Sequence, residues 1–178
     1  MSFLPSSLKV GGLFAAAMAT SLHAAAASEY GYFKGVQGKW YGAGEIVAGP
    51  YKNTRFTCSL EGKTPGRIGM KLAGSCRVGL FSQPIEAIVT KRGRSYRGTF
   101  LDGAEGKGLD IVSGRLRGKK LVLGIARKQL RGTMIADLNG QNSMNITIAV
   151  RVNGDLTPFI GLSLNRRGTA RKTSLLAD

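Results

Sequence analysis

This sequence predicts an all-β domain, closed as a single small antiparallel barrel or stacked as a sandwich, with about 8–10 strands. Three observations lead there. Apolar and polar residues alternate with period two in many short runs. Turn dipeptides bound these runs every 8–12 residues or so. No run holds a helical period long enough to define an amphipathic helix. The composition agrees: of 178 residues, 43% are apolar and 26 are glycine, against 5 prolines and no three-residue repeat. Such a chain is globular and rich in tight turns, neither collagenous nor disordered. Its length suits one domain.

The first segment reads as an address. In residues 1–27, Lys9 precedes an apolar run from Val10 to Leu22, and small residues from Ala24 to Ala27 close it. That order is the pattern of a secretory signal peptide with cleavage before Ser28. The apolar run is too short for a comfortable membrane span, and no later segment reaches the roughly 20 apolar residues a span needs. The protein is therefore expected in the periplasm or secreted. Residues 28–165 are read as the β-barrel domain and 166–178 as a basic mobile tail.

Residues 28–35 form a lead-in whose Tyr30, Tyr32 and Phe33 suit a plug at a barrel mouth. Strands are then predicted over Lys39–Ala48, Thr54–Leu60, Ile68–Val78, Ile85–Lys91 and Ser95–Leu101. Five more follow at Leu109–Leu116, Leu121–Arg127, Thr133–Leu138, Met144–Val152 and Phe159–Asn165. The ninth is the clearest: Met144, Ile146, Ile148, Val150 and Val152 share one face, and Asn145, Thr147, Ala149 and Arg151 the other. Asn139-Gly140 and Asn153-Gly154 flank it, dipeptides that accept the positive φ of hairpin turns.

Cys58 and Cys76 both lie in strand-like runs. In an exported chain two cysteines predict one disulfide, with two free buried thiols as the alternative. His23 goes with the leader, so the mature chain has no histidine. That removes Ser–His–Asp and Cys–His catalysis and any histidine metal site. Two phosphate-binding patterns also fail: Thr57 stands where a P-loop ending at Lys63-Thr64 needs glycine, and Val47 where a dinucleotide motif starting at Gly42 does. Asp102, Glu105 and Asp110 lack the spacing of a calcium loop and read as a solvated turn. Glu45 is an isolated acid, either a polar handle inside the barrel or a surface partner for a base. A non-enzymatic protein without metal or cofactor is expected.

Lys plus Arg number 26 against 10 acids, a formal charge of +16. The bases gather in three groups: Lys91, Arg92, Arg94 and Arg97; Arg115, Arg117, Lys119 and Lys120; Arg127, Lys128 and Arg131. If their strands are neighbours, the three merge into one basic face. That face suits an acidic protein, lipopolysaccharide or another envelope polymer. Export argues against nucleic acid.

Val36-Gln37-Gly38-Lys39-Trp40-Tyr41 resembles the N-terminal G-x-W signature of lipocalins and related calycin barrels. The resemblance implies a meander barrel closed by Gly38 and Trp40, with a basic residue from the last strand packed over the ring. Arg166 is the candidate, with Arg167 and Arg151 behind it. The departures are Gly35, where the family carries a charged residue, and the lack of a counterpart for its C-terminal helix. Gly38, Trp40, Gly42 and Gly44 are also similar to the opening of haem-binding nitrobindin-type barrels, but those use a histidine this chain lacks once processed. The mature chain is similar, too, to small envelope proteins of alphaproteobacteria, which implies export. The expected activity is the binding of a small apolar or anionic amphipathic molecule in the barrel, with possible membrane-surface contact. The alternative is an interaction protein acting through its basic face.

Overall fold

The computed structural model describes residues 19–101 and 108–168, with side chains from Ser28 onward. One helix, α1 (Ala19–Val36), leads into ten strands. They are β1 (Gly38–Ile46), β2 (Thr54–Lys63), β3 (Gly69–Val78), β4 (Phe81–Arg92) and β5 (Ser95–Leu101). After the undescribed 102–107 come β6 (Leu109–Arg117), β7 (Lys120–Arg127), β8 (Leu130–Asn139), β9 (Ser143–Val152) and β10 (Asp155–Arg166). Each strand pairs antiparallel with the next, and β10 pairs with β1, so the sheet closes as a barrel with no free edge. Closure selects the barrel over the sandwich. All ten predicted strands are present; most are longer than the alternation indicates, β4 and β10 most of all, while β1 and β3 are slightly shorter.

The alternation has one physical cause. Inward positions bury apolar side chains such as Trp40, Leu60, Leu72, Val89, Leu123, Met144 and Leu164. Outward positions carry Lys39, Arg55, Glu61, Lys71 and Asp137. Polar outside and apolar inside is the reverse of a lipid-facing barrel. Among the described residues no helix is long and apolar enough to cross a membrane.

Two expectations need correction. Residues 28–35 are not an irregular lead-in but the last turns of α1, which runs across the expected cleavage point. Tyr32, Phe33 and Val36 do enter the barrel, with exposures of 5%, 0% and 0%, whereas Tyr30 stays half exposed. The i, i+1, i+4 spacing of the three places them on one helical face. At the other terminus, β10 continues through Arg166, and the Arg167 amide donates to the Lys39 carbonyl at 2.8 Å. Arg166 and Arg167 therefore belong to the barrel. The rest of the expected tail, from residue 169, lies outside the described residues, as do residues 1–18 of the expected leader and Asp102 and Glu105 of the acidic turn.

Cys58 and Cys76 form a disulfide between directly opposed positions of β2 and β3, with Cα atoms 4.0 Å apart. Cys58 is buried and Cys76 half-buried, so the bridge is part of the barrel wall.

Candidate functional site

The strand directions give the barrel two unlike ends. At one end α1 caps the opening. The C-terminal carbonyls of a helix have no partners within it, and here other elements supply them. The Trp40 indole Nε1 donates to the Val36 carbonyl at 2.8 Å. Arg166 Nη2 donates to the Gly35 carbonyl at 2.6 Å, and Nη1 donates to that of Gln37. Arg166 Nε reaches the Gln141 carbonyl in the β8–β9 turn at 2.6 Å. The guanidinium carbon stands 4.4 Å from the Trp40 ring centroid, a cation–π distance. A positive side chain at a helix C-terminus is also favoured by the helix dipole.

Gly38 makes this arrangement possible. Its φ is +116°, and a Cβ there would meet Arg166 Nη1 at 2.5 Å. Behind the cap lies a solid floor of Phe33, Val36, Trp40, Val89, Tyr96 and Leu121. The Tyr32 hydroxyl donates to the Ala136 carbonyl at 2.9 Å. Burial, and the Asp137 charge after it, hold that phenol protonated well above the ordinary tyrosine range. Burial does the same for Tyr96, aided by the Glu29 carboxylate.

Above the floor the packing stops. A cavity of about 350 Å³ opens between the walls, lined among others by Phe56, Leu72, Phe100, Ile125, Met134 and Ile148. Its lining is apolar apart from Gln83, which faces Cys76 across β3 and β4. The cavity reaches solvent at the end opposite α1, since Val78 and Leu130 both line it and stand exposed. Glu45 does not enter it: that acid points outward, 3.9 Å from Arg55.

The three basic groups do not merge into one face. In an up-and-down barrel successive hairpins alternate between the ends. Lys91, Arg92, Arg94 and Arg97 on β4–β5 and Arg115, Arg117, Lys119 and Lys120 on β6–β7 share the capped end. Arg127, Lys128 and Arg131 lie on β7–β8, at the open end. Arg151 also stands there and not behind Trp40, its Nη1 donating to the Gly154 carbonyl, while Arg167 stacks 5.2 Å from Tyr41. At the capped end Lys91 pairs with Glu29 at 2.5 Å and Lys120 with Asp137 at 3.3 Å. The side chains of Arg92, Arg94, Arg97, Arg115, Arg117 and Lys119 carry no ion pair or hydrogen bond among the described residues.

No protein-family model matches this chain, and no curated protein does. Among solved structures, the crystal structure of Rv2717c from M. tuberculosis is similar, with a TM-score of 0.53 at 12% identity, covering 79% of this chain and 98% of that one. The likeness is one of fold.

Sequence reasoning missed the open end. Its exposed apolar residues, Tyr51, Leu80 and Phe81 foremost, fall outside the predicted strands, in the loops and hairpin ends that the alternation does not describe. The signal was their position beside turns.

Proposed function

We propose that this protein is an exported, non-enzymatic binding protein that holds a small apolar or anionic amphipathic molecule in its barrel. The observation that carries this reading is the apolar cavity of about 350 Å³, which lies in the range of small-molecule sites and opens opposite α1. Among its described lining residues no side chain titrates, which favours holding a ligand over transforming it. Arg127 stands at the mouth end of β7, its Nε donating to the Gly108 carbonyl at 2.9 Å, where an acidic head group would meet positive charge. The buried plug residues Tyr32, Phe33 and Val36 all follow the expected cleavage point, so removal of the leader would leave the floor intact.

The test is titration with a fluorescent polyene fatty acid, alongside native mass spectrometry of protein from the export compartment. Saturable binding is expected, and Ala87→Trp, which fills the cavity, should weaken it at least tenfold or so while the fold persists. A bare mass together with no probe binding would overturn the reading.

A second reading has its own observation: six basic side chains without partners among the described residues, on two adjacent hairpins at the capped end, suited to an acidic protein or envelope polymer. Salt-sensitive capture lost in Arg94→Gln/Arg117→Gln/Lys119→Gln, with no probe binding, would favour it.

A further inference from the structure

Around the cavity mouth, apolar residues stand in water on several turns at once. Leu80 is 98% exposed and Phe81 84% exposed on the β3–β4 hairpin, and Tyr51 is 72% exposed in the β1–β2 loop. Leu130 and Val152 add to them from the β7–β8 and β9–β10 hairpins. Large apolar side chains exposed together mark a contact surface.

Their neighbours are basic in a regular way. Tyr51 is followed by Lys52 and Leu130 by Arg131; Arg77 precedes Val78 and Arg151 precedes Val152; Lys128 sits at the tip of its turn. In a strand adjacent residues point to opposite faces. In the strand pairs Arg77-Val78, Leu130-Arg131 and Arg151-Val152 the apolar residue therefore leans toward the opening while the base beside it points outward. The described acids at this end are Glu45, Asp110 and Asp155, of which Glu45 already faces Arg55.

We infer that the open rim docks on an anionic phospholipid bilayer, its apolar tips entering the interface and its basic collar meeting lipid phosphates. Two features select a bilayer over a protein partner. The apolar residues project from separate turns around a hole and do not form one flat patch. The hole leads into an apolar cavity, so a lipid chain leaving the bilayer passes from one apolar medium to another without crossing water. Long basic side chains flanking apolar anchors are the usual arrangement at a membrane surface. This inference rests on the cavity reading for its purpose, but its geometry is independent of any cargo.

The experiment is flotation of the full-length mature protein with vesicles of phosphatidylcholine alone or mixed equally with phosphatidylglycerol. Fatty-acid probe binding is measured separately, without vesicles. The protein should float with the mixed vesicles and far less with phosphatidylcholine alone, the difference shrinking as salt is added. Leu80→Asp/Phe81→Asp should reduce flotation at least tenfold or so. Lys52→Gln/Lys128→Asn should reduce it severalfold. Neither pair supports the core, so melting temperatures should hold. Arg94→Gln/Arg117→Gln at the capped end should float like the unmodified protein. Absence of flotation, or its loss in the capped-end variant but not in the rim variants, would overturn the inference. Flotation without probe binding would uphold the docking and discard the cargo. Probe binding without flotation would do the reverse.

Discussion

The two ends of this barrel use the same strands for opposite purposes. At the capped end large side chains such as Phe33, Trp40 and Leu121 are fully buried, the helix carbonyls are satisfied by Trp40 and Arg166, and the surface is basic. At the open end the inward positions surround empty space, and the residues beyond them leave apolar side chains in water. Packing at one end supports the absence of packing at the other. A barrel whose core is filled throughout gains stability and has no room for a guest. Here the floor is dense enough to let the upper half stay hollow.

If this division of labour is correct, substitutions at the floor should act on stability and leave the pocket's affinity alone. The largest effect is expected from Trp40→Ala, about 3–5 kcal/mol in chemical denaturation, because the buried ring fills the floor and its indole caps α1. Probe affinity of the protein that remains folded should change little; a large loss would mean that the two halves are not separable. Next comes Cys58→Ser, or reduction of the bridge, at about 2–4 kcal/mol. An unchanged melting temperature after reduction would show that the ladder alone holds β2 to β3. Arg166→Met should cost about 2 kcal/mol through the lost donors to carbonyl groups. It should also speed hydrogen exchange in residues 32–36 while sparing β3 and β4.

The smallest effect concerns pH. Tyr32 and Tyr96 are held neutral in the fold above the ordinary value of 10.0, whereas the unfolded chain releases those protons near that value. The unfolded state then binds fewer protons, so stability is full below pH 10 or thereabouts and falls as pH rises beyond it. Tyr96→Phe should flatten that alkaline slope. A slope unchanged in the variant would place its cause elsewhere.

Strands were easy to read because burial alternates with the pleat, as Met144 to Val150 display. The helix was not. Its buried face is only Tyr32, Phe33 and Val36, too few positions to establish a period, and the alanines before it read as part of a leader. The pairing of Arg166 with Trp40 rested on resemblance, since nothing local to either residue points across the barrel. The split of the basic groups followed from a rule the sequence permits: in a meander, hairpins separated by one lie at the same end. Applied to Lys91–Arg97, Arg115–Lys120 and Arg127–Arg131, that rule separates the third group from the first two. The cavity itself was illegible, because Phe56 and Ile148 look the same in a sequence whether they touch across the barrel or stand apart.

The reach of Arg166 also governs when the molecule becomes whole. It contacts the Gly35 carbonyl from 131 positions along the chain, so the cap at the beginning is finished only by the end. Each β-hairpin can form as its two strands appear, but the seam between β1 and β10 needs both ends of the barrel's chain. Long-range pairing of this kind makes folding slow compared with local hairpin formation. Until that seam closes, Tyr32, Phe33 and Trp40 stay open to water, whether the chain folds where it is made or, as proposed, after export. Any helper that guards this protein before it is whole would find its target there, at residues that vanish from the surface on completion.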